Sequence, residues 1–179
     1  MDALEMLKQE HDIIERVLDL LEQAAGRTEA AKSLPEGFEP WTVEFFRHFA
    51  DHCHHAKEED ILFPLLEQRG IPREGGPIGC MLSEHEVGRE CVRRMDQAAS
   101  ATPRDDAAYT TAAKEYTALL RQHIFKENNV LFRMAGHVLS EADDADIDER
   151  FSNVERKRDL TGMHDRYGAQ LARWEAMIK

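Results

Sequence analysis

The sequence predicts an all-α protein, an antiparallel up-down four-helix bundle with an additional C-terminal helical segment. The chain of 179 residues is long enough for one domain with a substantial core. Alternation typical of strands is scarce, and stretches with helical periodicity are separated by loops rich in Gly, Pro or acidic residues. We therefore expect a bundle over residues 1–139, and a helical extension over residues 140–179 that packs on the bundle or at an interface.

The first helix is predicted from the start of the chain to about Gly26, because its apolar residues recur in steps of three and four. His11 occupies an inward position of this stripe, where a leucine would be the default. The second helix is expected to begin near Pro40, a residue tolerated in a first helical turn, and to run to about Gly70. The Gly- and Pro-rich segment "RGIPREGGPIG" then forms a loop.

The third helix is predicted over roughly 79–100 and the fourth over about 104–139, separated by "SATPRDD". A last helical region covers 141–178, with an interruption at Gly162. Its apolar residues are interpreted either as packing against the bundle or as the surface of a homodimer: Leu171, Trp174 and Ile178.

The composition excludes several classes of protein. The formal charge of −12 argues against duplex DNA or an anionic membrane as a partner, since both need clustered Lys and Arg. No apolar run approaches the roughly 20 residues of a membrane span, and the charged N-terminus does not resemble a signal peptide. Three widely spaced cysteines fit a reducing compartment, so a cytoplasmic location is expected.

An internal repeat carries the strongest functional signal. The segment "KEEDILF" at 57–63 aligns with "KENNVLF" at 126–132, and "EHD" at 10–12 aligns with "EHE" at 84–86. The two halves of the bundle therefore resemble a duplicated helical hairpin.

The repeat also selects one histidine from two neighbours. The histidine four residues before the aligned glutamate is His54 in one copy and His123 in the other, whereas the residue aligned with His55 is an isoleucine. This favours the pair His54–Glu58 over the pair His55–Glu59, although the second pair remains an alternative or a support for the first. Glu59 by itself either orients a ligand or faces water, and the second interpretation is favoured.

Residues four apart on a helix lie about 5–6 Å from each other, so a His and a Glu at this spacing can bind one metal ion or a close pair. Two such helices facing each other bring two carboxylates to the middle, where each can bridge two metals. A buried glutamate without compensation would cost several kcal/mol, and metal cations remove that difficulty. One histidine from the first helix of each half completes the candidate metal ligands: His11, His54, Glu58, His85, His123 and Glu127.

These motifs resemble those of the hemerythrin-like (HHE cation-binding) family over residues 1 to about 139. The resemblance lies in "H-x-x-x-E-E-x-x-L-F-P" from His54 and "H-x-x-x-E-N-N-V-L-F" from His123. It implies an up-down four-helix bundle around two non-haem iron ions bridged by carboxylates, with iron preferred to zinc because of the resemblance. The implied ligands are His11, His54, Glu58, His85, His123 and Glu127.

Within the family, the pattern departs from the oxygen carriers. Those proteins use a second histidine four residues after the third-helix ligand, where this chain has Arg89, and H-x-x-x-x-D in the fourth helix. The set of four His and two Glu is closer to bacterial proteins associated with repair of iron–sulfur clusters, as is the segment "GPIGCMLSEHEVG". Those proteins generally carry an N-terminal extension with paired cysteines, which this sequence does not show before its first helix.

The function expected from these features is a di-iron protein that binds or processes O₂, NO or peroxide, in an oxidative or nitrosative stress response. An iron sensor, or an iron donor for iron–sulfur cluster repair, is the alternative. A third interpretation is a purely structural bundle whose polar residues hydrogen-bond one another. The expected partner is a small diatomic ligand or peroxide, with no nucleic acid and no membrane.

Overall fold

The computed structural model describes residues 3–157 and 162–178, and these residues form six helices and no strand. The predicted all-α helical bundle is therefore confirmed. Residues 1, 2, 158–161 and 179, which fall within the predicted first and last helical regions, lie outside the described residues. The helices are α1 (Ala3–Glu29), α2 (residues 38–68), α3 (Pro77–Ser100), α4 (residues 106–138), α5 (Glu141–Lys157) and α6 (Met163–Ile178).

Helices α2 and α4 are not regular α-helices. Wider π turns interrupt α2 over Phe46–His55 and Glu58–Leu62, and α4 over Glu127–Leu131. The last two occupy the same place in the internal repeat, each beginning at a predicted glutamate ligand. A π turn holds more residues than an α turn, so neighbouring residues are separated by a smaller angle about the axis. His54 and His55 can therefore both face inward.

Local signals explain where the helices begin. Gly37 precedes α2 with a φ of 84°, a conformation that a residue without Cβ adopts readily. Pro77 occupies the first turn of α3. The side chain of Asp105 accepts a hydrogen bond from the Ala108 amide at 2.9 Å and caps α4. Gly162 has a φ of 75° immediately before α6, where the interruption is predicted.

The core consists of two hydrophobic clusters separated by a polar layer. One cluster contains Ile14, Phe49 and Leu120, and the other contains Leu7, Phe63 and Phe132, together with their neighbours. The predicted metal-binding residues lie between the clusters and are buried as fully as the apolar side chains. Polar groups in such a position need partners, because burial without them is costly.

The C-terminal helices pack on the outside of the first hairpin. The ring of Trp174 lies 5.5 Å from that of Phe38 and 5.6 Å from that of Trp41, and Leu171 and Ile178 are buried beside it. These three apolar residues are thus buried against other residues of the same chain. None of the helices over the described residues is both long enough and apolar enough to cross a bilayer.

Candidate metal centre

The structure brings all six predicted ligands into one buried layer. Each is at most 1% exposed, and together they come from the four helices of the bundle: His11 from α1, His54 and Glu58 from α2, His85 from α3, and His123 and Glu127 from α4. The candidate residues from both copies of the repeat therefore lie together in one place in the fold.

The four histidines form two facing pairs, one from each hairpin. The Nε2 atoms of His11 and His54 are 2.9 Å apart, and those of His85 and His123 are 3.1 Å apart. All four Nε2 atoms point towards the two glutamates, so each pair presents two nitrogens to one small volume.

Each glutamate reaches both histidine pairs. Glu127 Oε2 is 3.2 Å from the Nε2 atoms of both His11 and His123. Glu58 Oε1 is 3.6 Å from His54 Nε2, and its Oε2 is 3.4 Å from His85 Nε2. Both carboxylates therefore lie where they can bridge two cations, one held by each pair.

An oxygen atom fixes the outer nitrogen of every histidine in this layer. The Nδ1 contacts are with Asn128 Oδ1 for His11 (2.9 Å), Glu10 Oε2 for His54 (2.8 Å), Glu59 Oε1 for His85 (2.6 Å) and Glu84 Oε2 for His123 (3.0 Å). Each acceptor favours the tautomer with the proton on Nδ1. That tautomer leaves the Nε2 lone pair directed inward, as metal-binding histidines require.

This arrangement fits metal cations better than it fits a hydrogen-bonded core. Two Nε2 lone pairs at 2.9 Å repel each other unless a cation or a proton lies between them. All four carboxylate oxygens of Glu58 and Glu127 are buried and make no hydrogen bond of good geometry with any described residue. Nitrogen and oxygen donors in this combination suit iron and zinc.

The electrostatics of the protein groups alone indicate the same need for positive charge. Burial and the negative charge of Glu127 raise the pKa of Glu58 well above its ordinary value. Burial lowers the pKa of His123, but Glu127 and Glu84 outweigh burial and raise it to about 9. A metal ion would take the place of such protons, because ligating imidazole and carboxylate must be deprotonated.

The outer contacts of the histidines were largely missed at the level of sequence. Of the two interpretations of Glu59, orientation of a candidate ligand agrees with the structure, since its carboxylate accepts a hydrogen bond from His85 and another from Arg89. Glu10 and Glu84 were not identified, although a glutamate precedes the first histidine in both halves of the repeat. Asn128 occupies the repeat position of Glu59 and performs the corresponding role.

His55 lies beside the site and not on a polar helix face. It is 4% exposed, and its ring stacks on that of His85 with centroids 3.9 Å apart. Its Nδ1 is 3.5 Å from Asp51 Oδ1 and has no hydrogen-bond partner among the described residues. His55 also lies near Glu58, His85 and His123 in a group that could hold an ion. An experiment can therefore decide directly whether His54, which the repeat selects, or its neighbour His55 is the metal ligand.

We expect His55→Ala to retain the metal content of the unmodified protein, and His54→Ala to lose about half of it or more. The reason is that His54 has its Nδ1 fixed by Glu10 and its Nε2 facing His11, whereas His55 has neither contact. Metal per chain, measured by elemental analysis after identical loading, decides the point. Equal losses in the two variants would assign His55 to the ligand set.

A cavity of about 330 Å³ opens beside His55, between α2, α3 and α4. Its walls include Asp51, Gly88, Arg89 and Tyr116, with His52 at the surface. Arg89, at the position where oxygen carriers have a histidine, donates hydrogen bonds to Asp51 and Glu59 at 2.8 Å each. The cavity thus leads from solvent to the ring that stacks on His85.

Comparison with known proteins agrees with this geometry. The family model of the hemerythrin HHE cation binding domain matches residues 2–135. Uncharacterized proteins of Mycobacterium tuberculosis and Mycobacterium bovis are 28% identical over 160 residues, covering 87% of this chain and 62% of theirs.

The iron-sulfur cluster repair protein YtfE of Escherichia coli is 32% identical over 109 residues, covering 58% of this chain and 49% of that protein. The chain thus spans less than two thirds of the length of these curated relatives. No solved structure gave a significant match. With three quarters of the chain inside the family match and its histidines and glutamates gathered in one layer, the chain belongs to the hemerythrin HHE cation-binding domain family.

Proposed function

We propose that this protein is a non-haem di-iron protein that binds or processes O₂, NO or peroxide in an oxidative or nitrosative stress response. The arrangement of four histidines and two glutamates supports it most. The histidines form two pairs, and the two buried glutamates lie between the pairs without a hydrogen-bond partner among the described residues. Iron, when bound there, would supply a redox-active centre with coordination positions for a small ligand. The choice of iron over zinc follows the family, because the same donors suit both metals.

The residues of the chain have distinct roles in this proposal. The two glutamates would hold both metals, and the oxygen atoms at each Nδ1 keep the imidazoles oriented. The cavity beside His55 supplies the route by which a small ligand approaches the pair His85–His123. The buried side chains of Tyr116, Phe46 and Val92 in the cavity wall limit what else can enter. The proposal places this chemistry in the cytoplasm, where the thiols of the three free cysteines stay reduced.

An iron sensor or an iron donor for iron–sulfur cluster repair is the second candidate. The similarity to the iron-sulfur cluster repair protein of E. coli favours it. The two candidates differ in what happens to the metal: a donor releases iron to an acceptor, whereas a ligand-processing protein retains it through the reaction. Measuring iron per chain before and after exposure to NO or peroxide separates them.

The first test is elemental analysis of the purified protein with its visible spectrum. We expect about two iron ions per chain, one for each histidine pair, and visible absorption that changes on addition of NO or azide. Zinc in place of iron would retain the ligand set and exclude the redox chemistry. No metal after purification, and none taken up from anaerobic Fe(II), would leave the layer with a structural role and contradict the proposal.

The cavity provides a second test. We expect His52→Trp, which places a large ring at the cavity mouth, to slow azide binding to the iron-loaded protein by tenfold or more, because the indole narrows the entrance. The iron content should not change, since His52 is exposed and outside the ligand layer. Stopped-flow absorbance measures the rate. The matched control is His48→Trp, on the exposed face one turn earlier, and an equal effect of both variants would exclude this route.

A further inference from the structure

The two halves of the layer of candidate ligands correspond in sequence, but the side chains behind one half are more deeply buried than those behind the other. In each half a lysine donates to the glutamate that fixes a histidine: Lys57 to Glu10, and Lys126 to Glu84. The repeat aligns these two lysines and these two glutamates. Yet the side chains of Lys57 and Glu10 are 0% and 1% exposed, whereas those of Lys126 and Glu84 are 35% and 19% exposed.

The C-terminal helices produce this difference. Glu155 of α5 accepts a hydrogen bond from Lys57 Nζ at 2.5 Å, and the Phe151 ring lies 5.7 Å from the same ammonium. His164, in the first turn of α6, has its Nε2 2.9 Å from Glu10 Oε1. The other oxygen of Glu10 contacts Nδ1 of His54. A continuous polar chain therefore runs from the C-terminal helices to one histidine of the first pair.

The second half has no such cover over the described residues. Lys126 contacts Glu84 and the exposed Cys80, and part of its side chain faces solvent. The cavity beside His55 also lies on this side, next to His85. The Lys126–Glu84 pair behind His123 is therefore partly exposed, while the Lys57–Glu10 pair behind His54 is buried.

We propose that the C-terminal helices make the two metal positions unequal: Glu155 and His164 act as positioning residues that lock Glu10 and Lys57 around His54. The metal at His11–His54 is then retained, and the metal at His85–His123 is the exchangeable one that meets incoming ligands. This inference rests on the proposed metal pair. Loss of a partner that orients a ligating histidine typically changes metal affinity 10–100-fold. Removing one partner from a partly exposed ion pair such as Lys126–Glu84 costs far less than removing one partner from a buried pair.

The test is metal release from zinc-loaded protein to an excess of a chromogenic chelator. For the unmodified protein we expect two phases, each of one zinc ion per chain, with rates at least tenfold apart. His164→Ala should accelerate the slow phase about tenfold and leave the fast phase unchanged. His164→Gln, which keeps a donor for Glu10, should restore most of the slow phase. Glu155→Gln should act in the same direction as His164→Ala.

The control is Glu175→Ala, which removes an ion pair between α6 and Arg16 of α1 without touching Glu10. It should leave both phases unchanged, while thermal unfolding of the zinc-free variants reports any general loosening. Fewer than two zinc ions per chain, a single release phase in the unmodified protein, or equal acceleration of both phases by His164→Ala would each overturn the inference.

The zinc-release experiment can succeed or fail independently of the proposed function, because zinc carries no redox chemistry. Two unequal phases in a protein that does not respond to O₂, NO or peroxide would contradict the proposed function and support the unequal sites. A single phase in a protein that binds NO at iron would do the reverse.

Discussion

Glu58→Ala is expected to lower the metal content from about two ions per chain to well below one. Glu58 lies between His54 and His85, so its loss removes a ligand from both positions at once. It also leaves the negative charge of Glu127 alone with four histidines, which no longer hold two cations close together. Elemental analysis after anaerobic loading with Fe(II) measures the effect.

Two further variants test whether the loss of metal is specific to the two buried glutamates. Glu127→Ala should have an effect of the same size, because Glu127 occupies the equivalent place in the repeat and contacts both pairs. Glu44→Ala, on the exposed face of α2, should keep the full metal content. Unchanged metal in Glu58→Ala would reject the bridging role of this carboxylate.

Removal of metal is expected to lower the midpoint of thermal unfolding by about 8–16 °C. A metal that binds the folded chain at a concentration about a thousandfold above its dissociation constant stabilises it by about 4 kcal/mol. For a chain of this size each kcal/mol corresponds to about 2–4 °C. The stabilisation arises because the buried glutamates and the facing imidazole nitrogens are unfavourable neighbours until a cation lies between them. Calorimetry of chelator-treated and reloaded protein measures the shift.

The Glu58→Ala variant serves as the control for this shift, since it should unfold at the same temperature with and without added metal. Identical unfolding of treated and reloaded wild-type protein, at a metal content shown to differ, would contradict the expectation. It would also favour the interpretation of the layer as a purely structural network.

The sequence predicts the helices well and singles out six side chains that the structure brings together, because both inferences depend on spacing along one chain. The stripe around His11 and the doubled H-x-x-x-E are local patterns, and the predicted helices differ from the observed ones by a few residues at their ends. The repeat adds information that one copy lacks, since it selects His54 and identifies Glu127 as the counterpart of Glu58.

The remaining features depend on contacts between distant segments. The π turns place His55 inward, and the periodicity of a regular helix gives no sign of them. The contact of His164 with Glu10 joins residues at opposite ends of the chain, so no local pattern predicts it. Glu59 is partly exposed, and the sequence gives no sign of its contacts with His85 and Arg89, which come from another helix.

The division of the histidine pairs between the hairpins has a consequence for how the fold is held together. Each pair belongs to one hairpin, so only Glu58 and Glu127, reaching across, would tie the halves through the metals. A metal pair bound in this way would join residues as far apart in the chain as His11 and Glu127, and unlike a covalent link it would stabilise only the folded state, because its ligands separate when the chain unfolds. The three cysteines of the chain are all free, so the strength of this link between the halves would depend on the supply of metal and not on the redox state of a disulfide.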